Sequence, residues 1–423
     1  MGHKRPEWLS YLKIHPKAFS IIGLVGIVIL FVVRVLSGGH PASFDPASLQ
    51  KAYNSVQAGH PTTLTDDMLY AYAGWTYVHG LSPDKVNFEH PPLAKYLIGV
   101  SELLFHDPVA LGIVFAAVTL VIVYLISIRL MSAYFALVPV WFLGFDRLFI
   151  WTSAISLLDI YVTFFVAASV LLFLVFRHSK WLPIVLGVSI GLAVAAKWPA
   201  IFVAPALFAY VALERDRTGL RSLSLSLPIA ALTYVSTYGV FFLQGHSLID
   251  FIALQLRMLT YQSYMRFGRG SPPHFWLLFN FITGIEGPGT NTLVVINTAN
   301  RTINTIGVQT GFSLLVTFNP FTWTASVPAT LGAVFFGWKQ NQHRVILQAL
   351  LFWSLVLLTS YGLVFYWYIL PALPFAFIAL SYVLWHLTKK IKITIRLPIV
   401  TGYLVAVAVW SYYLFLPSFL VVS

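Results

Sequence analysis

The chain is dominated by long apolar runs separated by short polar breaks. A membrane-spanning helix needs about 20 mostly apolar residues. Runs of that kind stand at 20–37, 108–128, 132–150, 160–176, 182–196, 198–213, 223–243, 313–337, 345–363, 366–386 and 397–417. The pattern predicts an all-α polytopic membrane protein with about eleven transmembrane helices. Two longer stretches interrupt it, 38–106 and 244–312, and no separate soluble domain is visible, so 1–423 reads as a single membrane domain. The first run is long and lacks a clean small-residue cleavage site, so it reads as a span and not as a signal peptide.

Charge orients these elements. Lys4, Arg5, Lys13 and Lys17 precede the first run, which places the N-terminus in the cytoplasm by the positive-inside rule. Alternate threading then puts "ISIRLMS", "FRHSKW", "ERDRTGLRS", "WKQNQHR" and "LTKKIKITIR" on that same side, and most acids on the other. The net charge of +12 is therefore a topology signal and no sign of nucleic-acid binding. Both long loops are extracytoplasmic in this threading. Hydrophobic residues make up 58% of the chain and charged residues only 9%, so each ionisable group outside the cytoplasmic loops stands out. Without a cysteine, disulfides, thiolate chemistry and Cys-ligated metal are excluded.

Within the first loop, "DDMLYAYAGWTYVHG" predicts an interfacial helix opening after Thr65 as N-cap, with Tyr72, Trp75 and Tyr77 at headgroup depth. Pro91 and Pro92 start a second short helix, "PPLAKYLIGVSELLF". In the second loop "HSLIDFIALQLRMLTYQSYMRFG" reads as an amphipathic helix with Arg257, Arg266 and Arg269 on it, broken by "GRGSPPHFW". "NTLVVINTANRTINTIGV" reads as a small hairpin. Asn300-Arg301-Thr302 is a glycosylation sequon of low weight.

The candidate chemistry lies in and near these loops. Asp66 and Asp67 can serve as dipole-complementing residues of a helix's first turn, or as a base above the bilayer. An unperturbed Asp, with a pKa near ~3.9, is ionised and ready to accept a proton. Glu89 and His90 precede the Pro pair and can face the same pocket; without tight ligand spacing a metal site is not predicted. Asp159 and Lys197 stand at membrane depth, where charge is costly; either they pair with each other, or Lys197 reaches a lipid phosphate. Tyr366, in "YWYILPALPF", sits at the outer end of a span, where aromatics usually form the interfacial belt.

The order of these motifs resembles the protein O-mannosyltransferase family (glycosyltransferase family 39, with the GT-C fold). An interfacial helix with an acidic pair is followed by "HPPLAKYLIG", "SLLDIYVTFF", "GLAVAAKWPAIF", "FNPFTW" and "YWYILPALPF", from Leu64 to Pro374. "TDDMLYA" also looks like the "TDE..YA" opening of the lipid A aminoarabinose transferases. The resemblance implies an inverting transfer of mannose from a dolichyl or other polyprenyl phosphate in the outer leaflet to a Ser/Thr hydroxyl of a protein. Asp66 would be the general base. His90 and Lys197, with Arg257, Arg266 or Arg269, would neutralise the leaving phosphate. Asp67 and Glu89 would orient the base or the sugar, Asp159 would support the site, and Tyr366 would contribute to donor binding. The lipid-linked donor is the only cofactor-like requirement implied. Family members often pair, which implies a homo- or heterodimer that no residue here marks.

The sequence departs from the family pattern at Ala154 and Tyr361, where Arg is frequent, and at Trp367, where His is frequent. "INTANRTINTIG" replaces the soluble sugar-binding insert of eukaryotic members, so the chain reads as a compact prokaryotic, archaeal-like form in the cell membrane. Rival readings are a GT-C enzyme moving another sugar to a lipid or glycan, a non-catalytic relative, and a secondary transporter. A transporter predicts ionisable groups at the midplane of several spans; here nearly all of them lie at the outer rim or in cytoplasmic loops.

Overall fold

The structure is a computed structural model that describes residues 16–38, 44–60, 62, 64–267, 276–283, 285–297, 302–314, 318–359 and 366–413. The helices are α1 (Pro16–Ser37), α2 (Pro46–Gln57), α3 (Asp66–Val78), α4 (Leu93–Phe105), α5 (Ala110–Ser127), α6 (Leu137–Gly144), α7 (Arg147–Ser153), α8 (Asp159–Phe176) and α9 (Leu182–Ala196). A 3-10 turn (Trp198–Phe202) leads into α10 (Val203–Leu213), followed by α11 (Arg217–Ser236), α12 (Gly239–Leu243), α13 (Leu248–Phe267) and α14 (Trp276–Thr283). After strands β1 (Ile285–Asn297) and β2 (Thr302–Leu314) come α15 (Trp323–Lys339), α16 (His343–Thr359), a second 3-10 turn (Tyr366–Ala372), α17 (Leu373–Thr388) and α18 (Ile393–Tyr413).

Among the described residues five helical segments are long and apolar enough to cross a membrane: Ala18–Ser37, Ala110–Ser127, Asp159–Phe176, Trp367–Thr388 and Ile393–Tyr412. The protein is an integral membrane protein. The apolar run at 132–150 does not form one helix. It breaks between α6 and α7, where Asp146 turns extended (φ −74, ψ 126) and its Oδ1 accepts the Phe149 N–H at 3.0 Å. The other oxygen accepts from Trp323 Nε1 at 2.6 Å, so this buried acid caps α7 and ties it to α15. The run read as 313–337 starts later, at Trp323, because β2 extends to Leu314 and Asn319-Pro320 turns the chain. The run at 223–243 divides at Tyr238 into α11 and α12.

Three loops that the charge pattern assigns to one side meet in a single ionic cluster. Arg177 bonds Asp216 at 3.1 Å and Tyr210 Oη at 2.8 Å, pairs with Glu214, and Glu214 stands 3.5 Å from His343. On the other side of the bundle the first long loop is more helical than its sequence suggests. α2 arises there because Asp45 accepts from Ala47 N–H and Pro46 occupies the first helical position. The hairpin of the second loop is present, with Asn297 opposite Thr302 and Gly289 opposite Gly311 in antiparallel register. The sequon residues 300 and 301 and Tyr361 lie outside the described residues.

α3 and α4 cross at a pair of glycines. A Cβ on Gly74 would stand 2.5 Å from Lys95 O and 2.7 Å from Gly99 N, so only hydrogen at that position lets the backbones approach. Tyr72 and Tyr77, expected at headgroup depth, are buried in protein, Tyr72 against Tyr53 of α2 and Tyr77 against Tyr96 of α4. Tyr77 Oη donates to Pro83 O at 3.0 Å and to Val86 O, which folds the 79–90 segment back onto α3. Their aromatic bulk served packing, a use that hydropathy alone does not separate from an interfacial one.

Candidate active site

α3 begins at Asp66, with Thr65 in an extended N-cap geometry that makes no side-chain cap bond. The two carboxylates of the first turn therefore complement the helix dipole themselves. Asp66 reaches solvent, yet neighbouring protein thins the water around it. This desolvation raises its pKa above the ordinary aspartate value; Lys197 pulls it back, while Asp159 and Asp67 push it further up. Asp67 is tied through its backbone, accepting from Ser156 Oγ at 2.9 Å.

Asp159 and Lys197 arrive from different helices. Asp159 opens α8, and Lys197 sits in an extended link (φ −166, ψ 136) where α9 stops before Pro199. That break aims the lysine inward. Its Nζ lies 3.0 Å from Asp159 Oδ1 and 2.9 Å from Oδ2, with both side chains buried. The same Nζ is 4.1 Å from the centroid of the Tyr368 ring, a cation–π contact from the 3-10 turn before α17. Of the two readings of these charges, pairing is what the structure contains, and Lys197 also lines the neighbouring pocket.

That pocket encloses about 630 Å³. Glu89, His90, Lys197 and Gln262 supply its polar wall, and Ile201, Leu259 and Leu357 part of its apolar wall. These three apolar side chains are 43%, 52% and 50% exposed, so the pocket opens sideways to the outside of the bundle. Glu89 Oε2 accepts from Asn87 Nδ2 at 2.8 Å, its backbone oxygen accepts from Gln262 Nε2 at 2.9 Å, and the His90 ring meets Tyr70 edge-on at 5.9 Å.

Tyr70 and Asn87 escaped the sequence reading, and Lys95 stood in the "HPPLAKYLIG" motif without a role. Tyr70 is buried within electrostatic reach of Asp66, Tyr368, Asp159 and Glu89; burial first, and then those neighbours, hold its hydroxyl well above the usual tyrosine range. Asn87 takes a left-handed backbone (φ 47), which asparagine tolerates. Lys95 is wholly buried behind the 87–90 turn. A tyrosine in an apolar helix, or a lysine three residues after a Pro pair, carries no sequence mark of burial.

Of the second-loop arginines, Arg257 stacks on Phe88, 3.8 Å from its ring centroid, next to Glu89 but not on the pocket wall. Arg266 lies in the last turn of α13 and Tyr366 opens the second 3-10 turn; both side chains, and Arg269 entirely, fall outside the described residues. Among the described residues no group of three His, Asp or Glu is placed to hold a metal ion.

The architecture is the GT-C fold of membrane glycosyltransferases. Residues 89–241 match the model of the dolichyl-phosphate-mannose-protein mannosyltransferase family, a stretch that holds Glu89, His90, Asp159 and Lys197 but begins after Asp66. The chain is similar in structure to ArnT from Cupriavidus metallidurans bound to undecaprenyl phosphate: TM-score 0.55, 13% identity, covering 94% of this chain and 75% of that one. It is also similar to the archaeal oligosaccharyltransferase AglB from Archaeoglobus fulgidus in complex with an inhibitory peptide and a dolichol-phosphate. There the TM-score is 0.57 and identity 14%, covering 96% of this chain and only 56% of AglB, about half its length. No curated protein matches the sequence.

Proposed function

We propose that the protein is an inverting glycosyltransferase that moves mannose from a dolichyl or other polyprenyl phosphate to Ser/Thr hydroxyls of proteins on the extracytoplasmic face. The observation that carries this reading is the juxtaposition of Asp66 with the buried Lys197–Asp159 pair beside a pocket that is polar on one wall and apolar on the other. A lipid-linked sugar needs that division: a charged head held by Lys197 and His90, and a chain leaving along Ile201, Leu259 and Leu357 into the bilayer.

Asp66 takes the proton of the acceptor hydroxyl as its oxygen attacks the anomeric carbon from the face opposite the phosphate. The bond from that carbon to the phosphate oxygen breaks, and the phosphate leaves with the electron pair on the lipid. Because the leaving group is already an anion, no general acid is required, and cationic neighbours lower the barrier instead. Asp159 fixes Lys197, Glu89 and Asp67 orient sugar and base, and Arg257, Arg266, Arg269 and Tyr366 add to the donor site from the second loop and the 3-10 turn. The N-terminus and the Arg177 cluster lie on the cytoplasmic side, and 1–423 works as one domain, alone or paired with a second chain.

A second reading keeps the donor class and changes the sugar or acceptor. It is favoured by Trp367, whose ring lies 6.0 Å from that of Trp151 at the place where the family often has His. Purified protein in nanodiscs, given radiolabelled dolichyl-phosphate-mannose and a Ser/Thr-rich peptide, separates the two. Label on the peptide supports mannosyl transfer to protein. Label appearing only with another polyprenyl-phosphate sugar, or on a lipid or glycan acceptor, supports the second reading. Absence of transfer from every polyprenyl-phosphate sugar overturns both.

A further inference from the structure

Glu89 and His90 reach the pocket from a turn, and the bonds that hold this turn lead to a residue outside the pocket. Lys95, in the first turn of α4, has no solvent exposure. Its Nζ donates to Asn87 O at 2.5 Å, to Asn87 Oδ1 at 3.2 Å and to His90 O at 2.8 Å. The ring of Tyr77 closes another side, with its centroid 5.2 Å from Nζ.

An ammonium has three N–H donors, and these three acceptors use all of them. None is a carboxylate. Fully buried lysines are rare because desolvating the charge is costly, so the oxygens of this one turn must supply the compensation. All three belong to Asn87 and His90, and none to α3, α8 or α9. Loss of the ammonium would therefore release the turn first and leave the bundle in place.

We propose that Lys95 is a positioning residue whose ammonium gathers the 87–90 turn and thereby sets Glu89 and His90 on the pocket wall. The catalytic consequence rests on the donor-site reading above; the hold on the turn does not.

The groups facing Lys95 are Glu89 and His90 from the turn, Tyr77 from α3 with Asp84 within its electrostatic reach, and Tyr96 beside Tyr77 on α4. From α13, Gln262 and Arg257 reach only the far side of the turn, and α9 carries no charged side chain. Burial draws the Lys95 pKa down to about 7, against the pull of Glu89. A neutral amine has two donors for three acceptors, so the turn is fully held below that pH and loosens as pH rises through it.

The test is hydrogen–deuterium exchange of the full chain in nanodiscs, corrected for intrinsic exchange, for wild type and Lys95→Met. The variant should exchange about tenfold faster over 86–90, the equivalent of one charged hydrogen bond, with α3 and α8 unchanged. Its KM for the polyprenyl-phosphate donor should rise by a similar factor while kcat changes less. In the wild type, protection of the same segment should fall between about pH 6 and pH 9. A folded variant with unchanged exchange overturns the proposal, and a loosened turn with unchanged KM overturns the positioning role. Should Lys95→Met fail to fold, Lys95→Gln, which keeps most of the length of the side chain but not the ammonium, decides instead, and exchange over 86–90 equal to the wild type overturns the hold. A loosened turn in a protein that uses no polyprenyl-phosphate sugar leaves the hold standing and removes the donor reading instead.

Discussion

Asp66 and Asp159 are both aspartates in the first turn of a helix, and their surroundings give them different work. Asp159 is locked by two bonds from Lys197 and has no room for a substrate. Asp66 is open at its surface and lacks such a lock, so it is the one that can meet a hydroxyl. Its raised pKa makes it a stronger base than a free aspartate and narrows the pH range in which it is charged. Because the base must be ionised, kcat/KM should fall as pH drops through that raised pKa, above the ordinary value of ~3.9. Lys197→Met removes the charge that pulls the Asp66 pKa back, so the acid limb of the kcat/KM profile should move to higher pH. An unmoved limb would separate Asp66 from Lys197.

The same lysine supports a stability prediction. Lys197→Met strands a buried carboxylate and should cost about 3–5 kcal/mol. Adding Asp159→Asn should restore much of that stability and none of the activity, read by thermal unfolding in detergent beside turnover. Restored activity would mean the pair is structural only. Asp66, Glu89, His90, Asp159 and Lys197 were legible because ionisable groups are scarce in so apolar a chain. Tyr70 and Asn87 were not, nor was the role of Lys95 within its motif, because what marks them is burial and the partners that folding brings to them.

Helix breaks matter at the level of elements as much as helices do. The stop of α9 before Pro199 places Lys197, and the break at Asp146 anchors α7 against Trp323 through an acid that reads from sequence as one more outer-side charge. Periodicity reports that a run is apolar, not where it is interrupted; hence the single span expected at 132–150. The hairpin of the second loop was legible because β-branched runs flank a polar turn, whereas α2, short and polar, offered only its Asp-Pro start. The α3–α4 crossing gives the prediction at this scale. Gly74→Ala drives a methyl into the backbone at Lys95 and Gly99, and overpacking of this kind costs about 1–3 kcal/mol. Since α3 carries Asp66 and α4 carries Lys95, activity should fall further than unfolding temperature does. A variant that melts early but keeps full turnover when folded would contradict that coupling.

Across the whole molecule, charge and hydropathy describe the same arrangement. Three of the loops that the positive-inside rule groups together meet around Arg177, the catalytic candidates collect at the opposite rim, and the apolar runs between them form the bundle. The class of the fold was legible in the order of short motifs, while the pocket was not, since its walls come from residues as distant as Glu89 and Leu357. The central claim is that Asp66 is the base of a transfer from a lipid phosphate. Its most direct test is a single-turnover assay comparing wild type, Asp66→Asn and Asp66→Glu, with donor binding measured in parallel. Removing a general base should lower the rate by about 10²–10⁴ in Asp66→Asn, with donor affinity kept and partial activity in Asp66→Glu. Transfer by Asp66→Asn at the wild-type rate would contradict it.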